Sequence, residues 1–136
     1  MKLAIVGAGA TGGYLGAKLA AAGEDVVLIA RGANLAAMRE RGIRLIESDG
    51  SRDTIVRAPC TDDWSVLGSV DVAFLTVKSH SLPAMAARLA GNLGPATTIV
   101  TAQNGIPWWY FERHGGPLEG TRLGSVDPDG ALARSF

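Results

Sequence analysis

The chain has 136 residues, of which 47% are hydrophobic and 19% charged, and its formal net charge at pH 7 is zero. This length favours a single domain, and the composition is typical of a globular protein, not a disordered one. The charge balance removes the electrostatic basis for nucleic acid or an anionic membrane as the main partner. Cys60 is the only cysteine, so we expect no disulfide and no metal site, and we expect a reducing cytoplasm as the compartment.

The N-terminal part of the chain predicts a strand, a helix and a second strand. Leu3–Val6 is a short apolar run typical of a strand buried on both faces. Residues 11–22 repeat apolar residues at helical spacing, and Gly23 stands where a C-terminal cap belongs. Asp25–Ala30 predicts the second strand. Glycines interrupt the apolar stretch that a signal peptide or a membrane span would need, so we expect a soluble protein.

The next residues predict a helix followed by a hairpin. Asn34 can cap a helix that runs through Arg41 and ends at Gly42. Ile43–Glu47 and Thr54–Arg57 flank an Asp-Gly turn signal, and this arrangement is typical of a β-hairpin.

Two further strands and two helices are predicted after the hairpin. Val70–Val77 and Thr97–Ala102 are apolar runs typical of buried strands. Between them Ser81 is expected to cap a helix, and a last helix is expected to begin near Pro107. Because strands alternate with helices, the sequence predicts an α/β fold with right-handed crossovers and a doubly wound, mainly parallel sheet.

The last part of the chain, residues 115–136, differs from the rest. It holds five glycines and two prolines and shows no helical period. Asp127–Gly130 predicts a type I turn, with proline at its second position and glycine at its fourth. We interpret this tail either as a small hairpin or as a segment whose packing partner is missing.

A glycine-rich turn, GAGATG at residues 7–12, follows the first predicted strand and opens the first predicted helix. Gly7 permits the tight turn, Gly9 lets a ligand approach the backbone, and Gly12 allows the helix to pack closely on the strand. The pyrophosphate of a dinucleotide would meet the free N–H groups at the helix N-terminus, where the helix dipole favours an anion. The candidate cofactor-binding residues here are Gly7, Ala8, Gly9, Ala10, Thr11 and Gly12. The alternative is a tight turn and nothing more, but the context favours a Rossmann-type dinucleotide-binding domain over residues 1–114.

Arg31 follows the second strand, 19 residues after Gly12. NAD-binding domains carry an acidic residue near this position, which binds the 2′-hydroxyl of the ribose. A guanidinium cannot accept a hydrogen bond from that hydroxyl, but it makes bidentate, charge-assisted bonds to a 2′-phosphate. A solvated surface arginine is the alternative, and the position favours NADPH/NADP over NAD.

Lys78 and Asn104 follow the two later strands. Ligands of doubly wound sheets bind beyond the carboxyl ends of the strands. Either residue alone is also compatible with an ordinary surface loop. Four strand ends that are polar or glycine-rich together predict a binding site at this edge of the sheet.

Trp108–Phe111 form an aromatic run at the start of the last predicted helix. Neighbouring residues of a helix point in different directions, so only some of these rings can be buried. We interpret the run as core plus an interdomain contact, in preference to an aromatic substrate pocket.

Four stretches resemble the ketopantoate reductase (2-dehydropantoate 2-reductase) family: KLAIVGAGATGGYLGAKLA, ARG, TVKS and TAQNGIP, in the family's order over residues 2–107. This family reduces ketopantoate to pantoate with NADPH, on the route to pantothenate and coenzyme A. The resemblance implies that Gly7–Gly12 bind the pyrophosphate and that Arg31 binds the 2′-phosphate. It also implies that Lys78 lies beside the cofactor, and that Asn104 contacts the nicotinamide ribose and the small 2-keto acid substrate.

The resemblance further implies a second, helical domain, which in the family supplies the lysine that acts as general acid and a glutamate that binds substrate. The chain ends at Phe136, before such a domain. We therefore expect the fold to be incomplete at its C-terminus, the catalytic acid to lie beyond Phe136, and residues 1–136 alone to be inactive. A homodimer of the full-length protein is left open.

Two alternatives to reduction of ketopantoate also stay open, and the first follows from GIPWWYF, which is interpreted as a subgroup feature. One is a reductase of the same fold that acts on another small 2-keto acid. The other is a cofactor-binding module without chemistry of its own.

Overall fold

Five parallel strands form the central sheet of the structure, a computed structural model that describes residues 1–136. In chain order the strands are β1 (Lys2–Val6), β2 (Asp25–Ile29), β3 (Ile43–Ile46), β4 (Asp53–Val56), β5 (Cys60–Thr61), β6 (Val72–Leu75) and β7 (Thr98–Thr101). The sheet order is β5-β2-β1-β6-β7, and β3 and β4 form a separate antiparallel pair. The chain thus extends the sheet first on one side of β1 and then on the other, which confirms the predicted doubly wound α/β fold.

Four α-helices accompany the sheet: α1 (Ala10–Ala21), α2 (Gly32–Arg41), α3 (Ala86–Ala90) and α4 (Ala131–Ser135). Short 3₁₀ turns lie at Trp64–Ser69, Ser79–Ser81, Pro83–Met85 and Gly116–Leu118. None of the helices combines the length and the apolar character needed to cross a membrane.

The central strand β1 is buried on both faces, as predicted, and separates two hydrophobic clusters. Leu3 and Ile5 pack in the cluster that contains Leu35 of α2. Val6 packs on the opposite face, in the cluster that contains Leu132 of α4. This alternation follows from the two-residue period of a strand, and it is the reason why β1 is apolar throughout.

The β1–α1–β2 unit forms as predicted. Gly23 has a positive φ of +85° and donates its N–H to Ala20 O at 3.1 Å, while Glu24 donates to Leu19 O at 3.1 Å. These two bonds make a Schellman cap, for which glycine is the favoured residue.

The structure corrects the start of α2. Arg31 is its N-cap residue, so the prediction that Asn34 caps this helix is wrong. Asn34 lies in the first turn, and its side chain bonds elsewhere: its Nδ2 donates to Ala8 O at 2.6 Å. Gly42 ends the helix with φ +76°, as predicted.

The predicted hairpin is confirmed as β3–β4, with Ile43 opposite Val56 and Ile46 opposite Asp53. Arg44 Nε donates to Asp53 Oδ1 at 2.9 Å across the two strands. Lys18 of α1 pairs with Glu47 at 2.7 Å and so ties the hairpin to the first helix.

The β6–β7 part of the sheet departs from the sequence prediction in three ways. The strand predicted at residues 70–77 is shorter, at Val72–Leu75. The helix expected from Ser81 begins only at Ala86, after two 3₁₀ turns, because Pro83 suits a first turn but cannot continue a helix. The strand β7, predicted to be buried, is an edge strand that pairs only with β6, so Val100 is 36% exposed.

The helix predicted from Pro107 is wrong. The backbone makes three-residue turn bonds there, from Tyr110 N to Pro107 O and from Glu112 N to Trp109 O. Consecutive aromatic residues are poor helix formers, since they lose rotamer freedom against the preceding turn. Trp108 is buried in the core, whereas Trp109 and Tyr110 are exposed.

The tail contains no hairpin, so that interpretation is wrong. Gly130 N donates to Asp127 O at 3.1 Å, which closes the predicted turn. The carboxylate of Asp127 then accepts the N–H groups of Leu132 and Ala133, both at 3.0 Å, and so caps α4. Leu132 is fully buried and packs in the core beside α3.

Candidate functional site

The carboxyl ends of four strands lie side by side at one edge of the sheet. Val6 is in register with Ile29 and with Leu75, and Leu75 is in register with Thr101. The residues that follow these strand ends include the glycine turn, Arg31, Lys78 and Asn104. The structure therefore brings all the strand-end residues singled out from the sequence to the same edge.

Gly7 begins the turn in a conformation that only glycine adopts readily. Its φ is +104°, and its N–H donates to Ile29 O at 3.1 Å. A Cβ at this position would lie 2.5 Å from Val77 Cγ1 and 3.0 Å from Val77 N. The turn can therefore pass this close to the end of β6 only because residue 7 has no side chain.

Gly12 and Gly9 differ in what surrounds them. A Cβ at Gly12 would overlap Gly7 O and the Thr76 hydroxyl, so α1 packs on β1 without room for a side chain. A Cβ at Gly9 would meet no atom within 4 Å, so the space beside this part of the turn is open. The close packing at Gly12 is as the sequence predicted, and the open space at Gly9 leaves room for a ligand to approach the backbone.

The turn also offers free hydrogen-bond donors. The first α1 bond is donated by Gly13 N to Gly9 O at 2.7 Å, and no backbone carbonyl accepts the N–H groups of residues 9–12. The first turn of α1 carries no acidic side chain. An open glycine turn with unpaired N–H groups at a helix N-terminus fits the pyrophosphate of a dinucleotide.

Two side chains that the sequence reasoning missed hold the turn in place. Thr76 Oγ1 lies 2.7 Å from Gly7 O and 3.1 Å from Val6 O, and so links the end of β6 to the end of β1. The amide bond from Asn34 to Ala8 O anchors the other side of the turn. Thr76 is the first residue of TVKS and Asn34 stands two residues after ARG, but their hydrogen-bond partners are 69 and 26 residues away.

Arg31 and Lys78 place two positive charges at this edge. Arg31 is exposed at the N-cap of α2, and Lys78 is exposed at the N-cap of the Ser79–Ser81 turn. Neither side chain takes part in an ion pair of the structure. Both cations are therefore available to a phosphate ligand.

Asn104 lies in the loop after β7, where Gly105 has φ +94°. This loop borders a cavity of about 140 Å³, whose lining includes Ser79, Thr101, Gln103 and Trp108. Asn104 is exposed, so its amide can reach a ligand at the edge of the sheet.

A larger cleft, of about 710 Å³, lies between the glycine turn, α1, α2 and the hairpin. Ala8, Gly9 and Ala10 line it, but Arg31, Lys78 and Asn104 do not. The strand-end side chains thus flank an open edge next to this cleft, which no sequence pattern indicated.

The strand order, the glycine turn and the position of the site define a Rossmann-type α/β protein. The family model described as ketopantoate reductase PanE/ApbA matches residues 3–107, and the chain belongs to this family. This finding confirms the resemblance that the four sequence stretches carry.

Individual relatives agree with the family match. The chain is 51% identical to a 2-dehydropantoate 2-reductase of Mesorhizobium japonicum over 133 residues, which cover 97% of this chain and 40% of that protein. It is 33% identical to the enzyme of the same name from Pyrococcus horikoshii, over 98% of this chain and 42% of the relative. The chain thus spans about two fifths of the length of these relatives.

Solved structures show the same fold. A protein from Ralstonia solanacearum, assigned as a ketopantoate reductase, has a TM-score of 0.87 and 46% identity over 99% of this chain and 41% of its own. D-mandelate dehydrogenase with NADH and anilino(oxo)acetate has a TM-score of 0.66 and 27% identity, over 79% of this chain and 34% of its own.

Proposed function

We propose that this chain forms the NADPH-binding part of a cytoplasmic oxidoreductase that reduces 2-dehydropantoate (ketopantoate) to pantoate, in pantothenate and coenzyme A biosynthesis. The observation that carries the proposal is the convergence of the glycine turn, Arg31, Lys78 and Asn104 at one sheet edge, in a member of the ketopantoate reductase family. All these residues lie within residues 1–114, which we take as the dinucleotide-binding domain.

Each group at the edge has a part that its chemistry suits. The N–H groups of residues 9–12 bind the pyrophosphate, since they have no partner in the chain. The guanidinium of Arg31 binds the 2′-phosphate, and Lys78 lies beside the cofactor and adds a second positive charge. Asn104 binds the ribose of the nicotinamide end together with the oxygen of a small 2-keto acid, because an amide both donates and accepts.

The reduction also needs a proton donor within hydrogen-bond reach of the carbonyl oxygen of the substrate. When bound, the reduced nicotinamide supplies the hydride. This chain binds and orients both reactants, and we propose that the general acid lies outside residues 1–136. The protein comprising residues 1–136 should therefore bind NADPH without oxidising it in the presence of 2-dehydropantoate.

Cofactor preference tests the role of Arg31. Replacing Arg31 with Asp should weaken NADPH binding at least about tenfold, because charge-assisted hydrogen bonds contribute about 1.5–3 kcal/mol, and it should spare or improve NADH binding. Titration of both cofactors against both proteins measures this. Equal affinity of the unmutated protein for NADPH and NADH would count against the assignment.

A second candidate function is reduction of a different 2-keto acid. The observation that favours it is the structural similarity to a D-mandelate dehydrogenase that carries NADH and anilino(oxo)acetate. The test is a panel of 2-keto acids, assayed with NADPH and with NADH on the full-length protein. Highest kcat/KM for 2-dehydropantoate supports the first candidate, and highest kcat/KM for an aryl-substituted acid supports the second.

A further inference from the structure

The cleft between the glycine turn, α1, α2 and the hairpin β3–β4 is large enough for a small molecule. Its volume is about 710 Å³, and the ligand sites of proteins measure about 300–1,000 Å³. Arg31, Lys78 and Asn104, the side chains assigned to the cofactor and the substrate, do not line it. The cleft is therefore a second concave site, beside the edge where the strands end.

Small residues leave the space open along both helices. The lining includes Gly13 of α1 and Ala37 of α2. A Cβ at Gly13 would meet only Ala8 O, at 3.8 Å, which is an ordinary contact distance. At Gly12 and Gly16, by contrast, a Cβ would overlap neighbouring atoms. Those two glycines serve the packing of the helix, whereas Gly13 borders open space.

The walls of the cleft offer apolar surface to a ligand. Met38, Ile43 and Leu45 line it. Two further lining side chains face solvent, since Tyr14 is 53% exposed and Ile46 is 57% exposed. Exposed apolar side chains gathered around a concave surface are typical of a binding site. The apolar body of a ligand would cover them.

The charge of the lining has one sign. Arg41 and Arg44 are its only charged side chains, and no acidic residue lines the cleft. Arg44 already has a partner, because its Nε donates to Asp53 Oδ1 at 2.9 Å. Arg41 is the last residue of α2, is exposed and takes part in no ion pair of the structure. The cleft therefore favours an anionic group on the ligand, close to Arg41.

We propose that this cleft binds a small organic anion, with Arg41 holding the anionic group and Tyr14 packing on the apolar body. A guanidinium makes charge-assisted hydrogen bonds to anionic oxygens. A tyrosine ring gives a large apolar contact surface with a defined geometry. The site is separate from the strand-end residues, so the inference does not rest on the proposed function.

The test compares two fluorescent ligands on the full-length protein. They are 8-anilino-1-naphthalenesulfonate and N-phenyl-1-naphthylamine, which has the same rings without the sulfonate. We expect Arg41→Gln to bind the sulfonate roughly threefold to tenfold more weakly and the uncharged dye unchanged. The control is Arg39→Gln, which removes a charge from the same helix but outside the cleft, where Arg39 lies 4.0 Å from Asp62. It should leave both affinities unchanged.

A second pair of variants tests the apolar part of the site. Tyr14→Ala should weaken both dyes, because the ring packs on the body that they share. The control is Tyr110→Ala, since Tyr110 is 46% exposed but lies outside the cleft, and it should leave both affinities unchanged. Both side chains are exposed, so the fold should persist in both variants, and the Tm checks this.

The remaining outcomes also decide the matter. Unchanged binding of the sulfonate by Arg41→Gln, or equal weakening by Arg39→Gln, would overturn the inference. Weakening of the sulfonate by Arg31→Asp to the same degree as by Arg41→Gln would place the dye at the strand ends and would also overturn it. NADPH is titrated separately, and failure to bind it would count against the proposed function and leave this inference standing.

Discussion

The first half of the sheet is formed by the β1–α1–β2 unit and the second half by the β6–α3–β7 unit. Both are strand–helix–strand units, but their helices cover the sheet differently. In the first half, α1 has 12 residues, and it packs so closely on β1 and β2 that a Cβ at Gly16 would lie 2.7 Å from the side chain of Leu28. In the second half, α3 has five residues and β7 is a half-exposed edge strand. The short helix α3 is supplemented by a helix distant in sequence, α4, whose Leu132 packs in the core of this half.

The first half is stabilised mainly by contacts between residues close in sequence, whereas the second half also needs a contact from a residue far along the chain. The β1–α1–β2 unit lies within the first 29 residues, and Gly16 lets its helix pack directly on Leu28 of the neighbouring strand. The β6–α3–β7 unit depends on residue 132, which a turn and an Asp127 cap hold in place. Substitutions in the two halves should therefore act in different ways.

The largest effect is expected in the second half, for Leu132→Ala. Leu132 is fully buried, and truncation of such a leucine destabilises by about 2–5 kcal/mol through lost burial and the cavity left behind. Urea unfolding measures this loss. The control is Leu118→Ala, since Leu118 is 49% exposed and its truncation should change the free energy of unfolding little. A loss below about 1 kcal/mol for Leu132→Ala would mean that α4 is not part of the core.

The next effect is expected in the first half, for Gly12→Ala. The added methyl group meets backbone and the Thr76 hydroxyl, so overpacking should destabilise by about 1–3 kcal/mol. Gly9→Ala is the matched variant in the same turn: a Cβ there meets nothing within 4 Å, so no overpacking is expected and stability should fall only through the weaker helix capping by alanine at this N-cap position. NADPH titration should nevertheless show weaker binding to Gly9→Ala, because the methyl group occupies the open side of the turn. Equal stability losses in both variants would contradict this division.

A smaller effect is expected where the two halves meet, for Thr76→Val. The substitution keeps the shape but removes the hydroxyl that lies 2.7 Å from Gly7 O, so a loss of about 1 kcal/mol is expected. The control is Thr98→Val, since Thr98 is exposed on β7 and makes no side-chain bond of this kind. Chemical denaturation of both variants measures the difference. Identical curves would mean that the hydroxyl does not link the strands.

The smallest effect concerns the hairpin β3–β4, outside both halves. The hydrogen bond and charge of Arg44 hold the pKa of Asp53 below its ordinary value, and Lys18 does the same for the pKa of Glu47. A carboxyl group with a lowered folded-state pKa stabilises the fold above its unfolded pKa, about 4, and this contribution is lost as pH falls through the lowered value.

Hydrogen exchange of the hairpin amides, followed from neutral pH down to below pH 4 or so, should therefore show loss of protection in the hairpin before the sheet. Asp53→Asn should remove the part of this pH dependence that comes from the Arg44–Asp53 pair and leave the part that comes from Lys18–Glu47. Hairpin protection that does not change with pH would show that these exposed pairs contribute nothing measurable.

The parts of the molecule that were predicted correctly are those with local signals. The apolar run of β1, the cap at Gly23 and the Asp-Gly turn of the hairpin each depend on residues a few positions apart. The positions of Arg31 and Lys78 followed from strand ends and the rule for parallel sheets.

What was missed depends on contacts between distant residues. Leu132 stands in a glycine- and proline-rich tail with no period, so nothing local marks it as a core residue. The bonds of Thr76 and Asn34 to the glycine turn join residues 69 and 26 positions apart. The helix expected at Pro107 failed because Trp108 is drawn into the core while the rings after it stay exposed, and a turn satisfies both.

The helix α4, which Asp127 caps, shows that the end of the match to the family model and the end of the hydrophobic core lie at different residues. The match to the family model ends at residue 107, but the last residue of the hydrophobic core is Leu132. Chimeras that graft this cofactor site onto another protein by splicing at residue 107 would leave the face of β1 that contains Val6 under-covered. A graft that carries the chain through residue 136 would include Leu132, which packs on this face, so the place to cut is set by packing and not by where the family model ends.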